Sequence, residues 1–251
     1  RYDLNDVATR ARADGDGYVI DGAKIVALHA GTADKIAVTA RTSGEDRDRD
    51  GITIFLIDAD APGLSVRDYP TVDGLRAGDL ALEGVRVGAD AVLGSVGGGL
   101  ELAESVVDRA AALVAAEAAG AMAALTRGTV DYLKERKQFG RPLGDFQALQ
   151  HRMTEMYMET ELTRSLAYMA AVLQDGEDRA AARRASSQAK AKAGQAGRLI
   201  GQEAVQLHGG MGVTDEMPVG HYFKRLTMID HSFGDSAHHL DRLADMEISV
   251  T

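Results

Sequence analysis

The pattern of apolar and polar positions changes character once along the chain. Up to about residue 94 the apolar residues come in short, β-branched runs: YVIDGAK, DKIAVTA, GITIFLIDA, GLSVRDY and GDLALEGVRV. Gly, Asp and Pro separate them, so five strands joined by tight turns are expected. IAVTA and ITIFLI are the most apolar and are the expected core strands. RTSGEDRDRDG, between them, reads as a solvated hairpin loop.

VLGSVGGGL marks the change, and from Leu100 onward Ala, Leu, Met and Glu dominate. A first helix of about 35 residues, on the order of 50 Å long, is expected before Gly140-Arg141-Pro142. A second runs from about Phe146 to Leu173, capped by Asp145, and a third from about Ala180 to Leu207. A fourth begins near His221 or Asp235 and continues to Met246. Four helices with one apolar stripe each predict an antiparallel bundle. The expected architecture is α+β: a small antiparallel β domain at 1–97, then a four-helix bundle at 98–251. Ala-rich stretches such as AALVAAEAAGAMAAL and AKAKAGQAGRLIGQEA point to close helix packing, within the chain or against another subunit, more than to a ligand groove.

Composition narrows the chemistry. The 251 residues carry 28 Lys plus Arg against 38 Asp plus Glu, a formal net charge of -10, which disfavours nonspecific nucleic-acid binding. With no cysteine, disulfides, thiol catalysis and Cys-ligated zinc are excluded. No apolar run reaches the roughly 20 residues of a membrane span and no signal-peptide pattern opens the chain, so a cytoplasmic location is the expectation. The opening RYDLNDV has neither an initiator Met nor a clean element start, and an N-terminal portion is expected to be missing.

Three motifs carry candidate chemistry. RKQFGRPLGDFQALQHRM, Arg136 to Met153, puts cations, an aromatic and a helix start at one corner, which suits an anionic, flat-ringed ligand or is simply an αα-turn. In AVQLHGGMGVTDEMPVGHYFKR, Gly209, Gly210 and Gly212 follow a helix end; they form a phosphate-approaching loop or a plain C-cap, and match neither Walker A nor the Rossmann fingerprint. DHSFGDSAHHLDRL sets His231, Asp235, His238, His239 and Asp241 close together. Adjacent His238 and His239 point about 100° apart on a helix, which argues against a metal site.

Taken together, and in this order, these motifs resemble the C-terminal half of the flavin-dependent acyl-CoA dehydrogenases. DGDGYVIDGAKIVALHAGTADKIAVTAR is similar to that family's middle β domain. The resemblance covers essentially the whole chain and is nearest to the small-subunit type of pimeloyl-CoA dehydrogenase. It implies a further N-terminal helical domain, FAD as cofactor and an acyl-CoA substrate. It also implies assembly as a homo-oligomer or as a heterotetramer with a second acyl-CoA dehydrogenase subunit, and electron-transferring flavoprotein as acceptor. By resemblance, Arg136, Gln138 and Phe139, with Gln147, contact the FAD of a neighbouring subunit. Gln206, Leu207, His208, Gly209 and Gly210 lie against its ADP portion. Ser236 and His238 stand where a Thr and a Gln hold FAD in the same subunit. The implied reaction is α,β-dehydrogenation, with a carboxylate removing the α-proton and hydride leaving to the flavin.

The sequence departs from that pattern at the reacting end. The family's usual base is a Glu in Tyr-Glu-Gly-Thr, and the corresponding stretch is Phe233-Gly234-Asp235-Ser236. The alternative position on the first long helix is Ala110. A flavin-stacking aromatic and a Thr expected after Lys24 are Val26 and Leu28. Either Asp235 replaces the base, with Asp108 a less well-placed option, or the chain completes the FAD site of a catalytic partner. A third reading is an FAD-free structural relative.

Overall fold

The computed structural model describes residues 2–248 and divides into two compact units, Arg1–Val106 and Val107–Thr251. The first is a seven-stranded sheet in the order β5-β6-β2-β1-β3-β4-β7. Its strands are β1 (Arg10–Asp14), β2 (Gly17–Leu28), β3 (Lys35–Arg41), β4 (Ile52–Asp58), β5 (Leu64–Pro70), β6 (Arg76–Gly88) and β7 (Val92–Leu93). The five expected runs fall in β2 to β6. β1 is short and polar and β7 has two residues, so neither carries the apolar alternation that identifies a strand. β1 lies between β2 and β3, and its contact with β3, Arg10 opposite Arg41, is parallel; the other pairings are antiparallel. The core on this sheet gathers Ile20, Val38, Phe55, Ile57, Leu82 and Val85.

The 41–51 segment is a charged loop, but it is built around a buried group. The Arg41 guanidinium donates to the carbonyls of Asn5, Asp46, Asp48 and Asp50 at 2.6 to 3.0 Å. A single buried cation thereby satisfies four turning carbonyls, which orders a stretch whose composition suggests only solvation.

Five helices follow among the described residues: α1 (Gly99–Glu135), α2 (Gln147–Gln174), α3 (Arg179–His208), α4 (Pro218–His231) and α5 (Ser236–Ile248). The division between the two units falls within α1. The expected fourth segment is therefore two helices. Pro218 starts α4, its fixed φ suiting the first turn. The chain breaks at 232–235, where Phe233 and Gly234 both have positive φ, 56° and 99°. Asp145 does not cap α2; it lies in a single 3-10 turn, and Phe146 takes the cap position without a side-chain bond.

α2 and α3 run antiparallel, as Gln174–Ser186 at 2.7 Å near one end and the Arg152–Glu203 ion pair near the other show. α3 is the central helix: its small residues let α2, α4 and α5 pack closely around it, and Ala118, Met122, Met156, Ala189, Ala196, Ile200 and Leu226 share one core. The Ala-rich stretches thus serve close packing, as their composition suggests.

Candidate functional site

The α1–α2 corner is more than an αα-turn. Lys137–Gln138 and Arg141–Pro142 pair as a two-stranded hairpin. Its tip, Phe139-Gly140, has positive φ at both residues, 55° and 82°, which a type I′ turn requires. The tip holds Phe139 out at 90% exposure. Phe146 braces it edge-on, with ring centroids 6.1 Å apart, and the Arg141 guanidinium sits 4.1 Å above the Phe146 ring.

Beside this corner the end of α3 forms one wall of a cleft of about 540 Å³. Arg136, Gln138, Gln206, Leu207, His208, Gly209 and Gly210, seven of the residues singled out in the sequence, line it together. Tyr132, Leu143, Leu149, Arg152 and Met211 complete the lining. Phe139 and Gln147 are exposed on the corner outside that lining. Tyr132 lies four residues before Arg136, so helical spacing alone could have found it.

The charges of the cleft are unequal. Arg152 is held by Glu203 from α3. Arg136 has no ion-pair partner among the described residues and is the cleft's uncompensated cation. A Cβ added at Gly209 or Gly210 would meet nothing within 4 Å, so the backbone there borders open space and is accessible to close approach. His208 is buried and stacks on Tyr132, with centroids 4.3 Å apart. Its Nδ1 is 2.8 Å from the Ala204 carbonyl and so carries the proton, fixing the ring in one tautomer. A planar guanidinium fork, a bare glycine pair and apolar walls fit the pyrophosphate and flat ring of a dinucleotide such as FAD.

Asp235, Ser236 and His238 do not line this cleft; Asp235 lies in the break between α4 and α5, and Ser236 and His238 in the first turn of α5. The Asp235 carboxylate caps α5, accepting from the His238 amide at 2.9 Å. The Ser236 hydroxyl donates to Asp230 Oδ1 at 2.7 Å, and the Ser236 amide donates to the same oxygen at 3.1 Å. The proton that would reach a ligand is therefore turned inward. Asp108 is ion-paired with Arg242 at 2.5 Å. Among the described residues no three His, Asp or Glu side chains gather as a metal site would need.

Behind the break sit a group that the motifs do not announce, Lys190, and one that they do, His239. Lys190 of α3 is fully buried and donates to the carbonyls of Gly234 and Asp230, at 2.6 and 3.0 Å. Burial pushes its pKa down to about 8, against the pull of Asp230 and Asp235. His239, also buried, donates from Nε2 to the Phe233 carbonyl at 3.0 Å and accepts at Nδ1 from Ser187, 3.2 Å away. Burial lowers its pKa to about 4, outweighing the Phe233 carbonyl; the nearby Lys190, His238 and Arg242 lower it further. Lys190 lies between Ala189 and Ala191, and Lys192 follows it on the same helix, so the sequence does not tell the buried Lys from its neighbour.

In the β unit, the ladder between β2 and β6 slips between Lys24 and Ala27. Val26 takes φ 55°, which a β-branched residue rarely adopts. Its amide donates to Asp79, which Arg67 and Tyr69 also hold. Ile25, Val26 and Leu28 are exposed there as bare aliphatic side chains, with no aromatic face and no hydroxyl.

The sequence profile of the acyl-CoA dehydrogenase C-terminal domain matches residues 97–247, and that of the middle domain matches residues 1–85. The chain belongs to the acyl-CoA dehydrogenase family. It is 33% identical over 232 residues to the short-chain specific acyl-CoA dehydrogenase of Bos taurus mitochondria, covering 90% of this chain and 56% of that protein. It superimposes on butyryl-CoA dehydrogenase from Megasphaera elsdenii with a TM-score of 0.91 at 28% identity, over 97% of this chain and 64% of the other. A chain of the ChsE4-ChsE5 complex from Mycobacterium tuberculosis matches with a TM-score of 0.86 at 27% identity, over 97% of this chain and 63% of the other. This acyl-CoA dehydrogenase family chain thus spans little more than half the length of the curated relatives it matches. No described helix is long and apolar enough to cross a membrane.

Proposed function

We propose that this chain completes the FAD site of an acyl-CoA dehydrogenase assembly whose base is supplied by a second, base-bearing subunit. The observation that carries the reading is the contrast within the bundle. Arg136 and the Gly209-Gly210 backbone face an open cleft with unused capacity for an anion. Gly234 has no carboxylate to offer, Asp235 is engaged as a helix cap, and Ser236 donates inward. The aliphatic 25–28 segment, lacking a stacking ring, supports the same division of labour.

In this reading Arg136 holds the pyrophosphate with its guanidinium fork, Gln138 and Gln206 offer amides, and the glycine pair allows close backbone approach. Phe139, on its hairpin tip, reaches toward the neighbouring subunit. When bound, FAD supplies the hydride acceptor for α,β-dehydrogenation of an acyl-CoA thioester, with electron-transferring flavoprotein as the acceptor beyond it. That one solved relative is itself a complex of two differently named chains supports a heteromeric assembly.

The test is to purify the full-length chain alone and with a second acyl-CoA dehydrogenase chain that carries the Glu. The flavin spectrum and its bleaching by acyl-CoA are then recorded. Colour and bleaching only with both chains, lost in Arg136→Ala and kept in Asp235→Asn, are expected. Yellow, active protein from this chain alone overturns the proposal, and loss of bleaching in Asp235→Asn returns the base to Asp235.

A further inference from the structure

Replacing Gly234 by a carboxylate meets a built obstacle. An added Cβ would stand 2.6 Å from His238 Cδ2 and 2.7 Å from His239 Nε2, at a φ of 99° that side-chain-bearing residues rarely adopt. The obstructing ring of His239 cannot simply swing away, because both its nitrogens are bonded, to Phe233 and Ser187. On the other side Lys190 ties the carbonyls of Gly234 and Asp230 together, so the end of α4 and the turn are held by one buried amine. Asp230 in turn fixes the first residue of α5 through Ser236.

We propose that Lys190 is a positioning residue that locks the Ser232–Ser236 turn closed, with His238 and His239 filling the volume that a side chain at 234 would need. The closed turn, and not only the missing carboxylate, keeps this chain from acting as the base-bearing subunit. The meaning of the closure rests on the partner-subunit reading, whereas its geometry does not. Phe233 at φ 56° and Gly234 at φ 99° are strained or glycine-only conformations, and the bonds to their carbonyls from His239 and Lys190 are what hold them. A turn tied at both carbonyls from two different helices has one arrangement available, and loosening either tie frees the other.

The experiment is a double-mutant cycle on the full chain with Gly234→Glu and Lys190→Met, read by thermal midpoint, with Lys190→Gln as a gentler variant that keeps a donor. Gly234→Glu is expected to lower the midpoint by about 5 °C or more and to give no flavin bleaching with butyryl-CoA in the absence of a second chain. In the Lys190→Met background the same change should cost markedly less, and adding His238→Ala to Gly234→Glu should recover part of the loss. The His239 Nε2 proton resonance should be slow to exchange in the wild type and fast in Lys190→Met. Additive midpoints overturn the positioning role, since a Lys that merely adds stability would not couple to residue 234. A Gly234→Glu chain with the wild-type midpoint, or one that bleaches alone, overturns the closure. The cycle needs no flavin, so protein that stays colourless with and without a second chain defeats the proposed function while the cycle still decides the turn.

Discussion

The corner between α1 and α2 and the break between α4 and α5 share an aromatic residue at positive φ followed by a glycine, with a cation close by, Arg136 at the first and Lys190 of α3 at the second. They direct those groups oppositely. At the corner, Arg136 is exposed at the cleft and Phe139 stands out on the tip of a hairpin satisfied by its own backbone pairing. At the break, Lys190 and His239 are buried and bond to the turn itself. An outward cation keeps its affinity for a ligand, while an inward one exchanges that affinity for a fixed conformation. Similar residue chemistry therefore separates into groups left open to solvent and groups spent on scaffolding, according to which side of the helix it faces.

The largest test of that contrast is Lys190→Met. It leaves one buried and one half-buried carbonyl without this donor, and we expect a loss of about 3 kcal/mol in urea unfolding. If the loss is under about 0.5 kcal/mol, the turn does not depend on its inward cation.

Acid gives the next effect. His239 is held at about 4 in the folded protein, below its ordinary value of 6.5. The unfolded chain therefore binds the extra proton first as the pH falls below 6.5. Stability should fall from there down to about pH 4, where the folded form also protonates, by up to about 3 kcal/mol. His239→Gln should flatten that part of a pH series of urea midpoints. Lys190 has the same sign in the alkaline range. Its folded value of about 8 lies below the unfolded 10.5, so its contribution makes stability rise between about pH 8 and 10.5, a rise that Lys190→Met removes.

Arg136→Ala tests the outward side. Flavin retention by the two-chain assembly should weaken about 10- to 100-fold by fluorescence titration, the loss of one charge-assisted fork. The chain's own stability should change by less than about 0.5 kcal/mol, because the side chain is exposed and unpaired among the described residues. The smallest expected effect is that of Gly210→Ala. It meets no atom in the chain, so folding stability should hold while flavin affinity drops a few-fold as the methyl enters the cradle. Equal losses of stability and affinity in either variant would erase the distinction between the two regions.

The sequence carries much of this molecule in legible form. The switch from β-branched runs to Ala-rich periodicity places the strands and helices, since each depends on neighbours within one or two turns. The family motifs single out Arg136 and residues 206–210, which the fold brings to one cleft, and Gly234 is missing a side chain in any arrangement. Less legible are β1, too polar to announce itself, and the break at 232–235, which depends on two positive φ angles held from elsewhere in the bundle. Asp145 resembles a helix cap because a helix start and a 3-10 turn share the same acidic signal.

By itself the sequence determined the family, most of the order of elements, and a glycine at position 234. Only the tertiary structure decided where the remaining polar groups point. Lys190 meets Gly234 across 44 residues, Ser187 meets His239 across 52, and Arg41 meets Asn5 across 36. Local periodicity fixes which face of a helix a residue occupies. Which donor then finds which carbonyl depends on how closely the helices approach, and that is set by the whole small-residue surface of α3 acting at once.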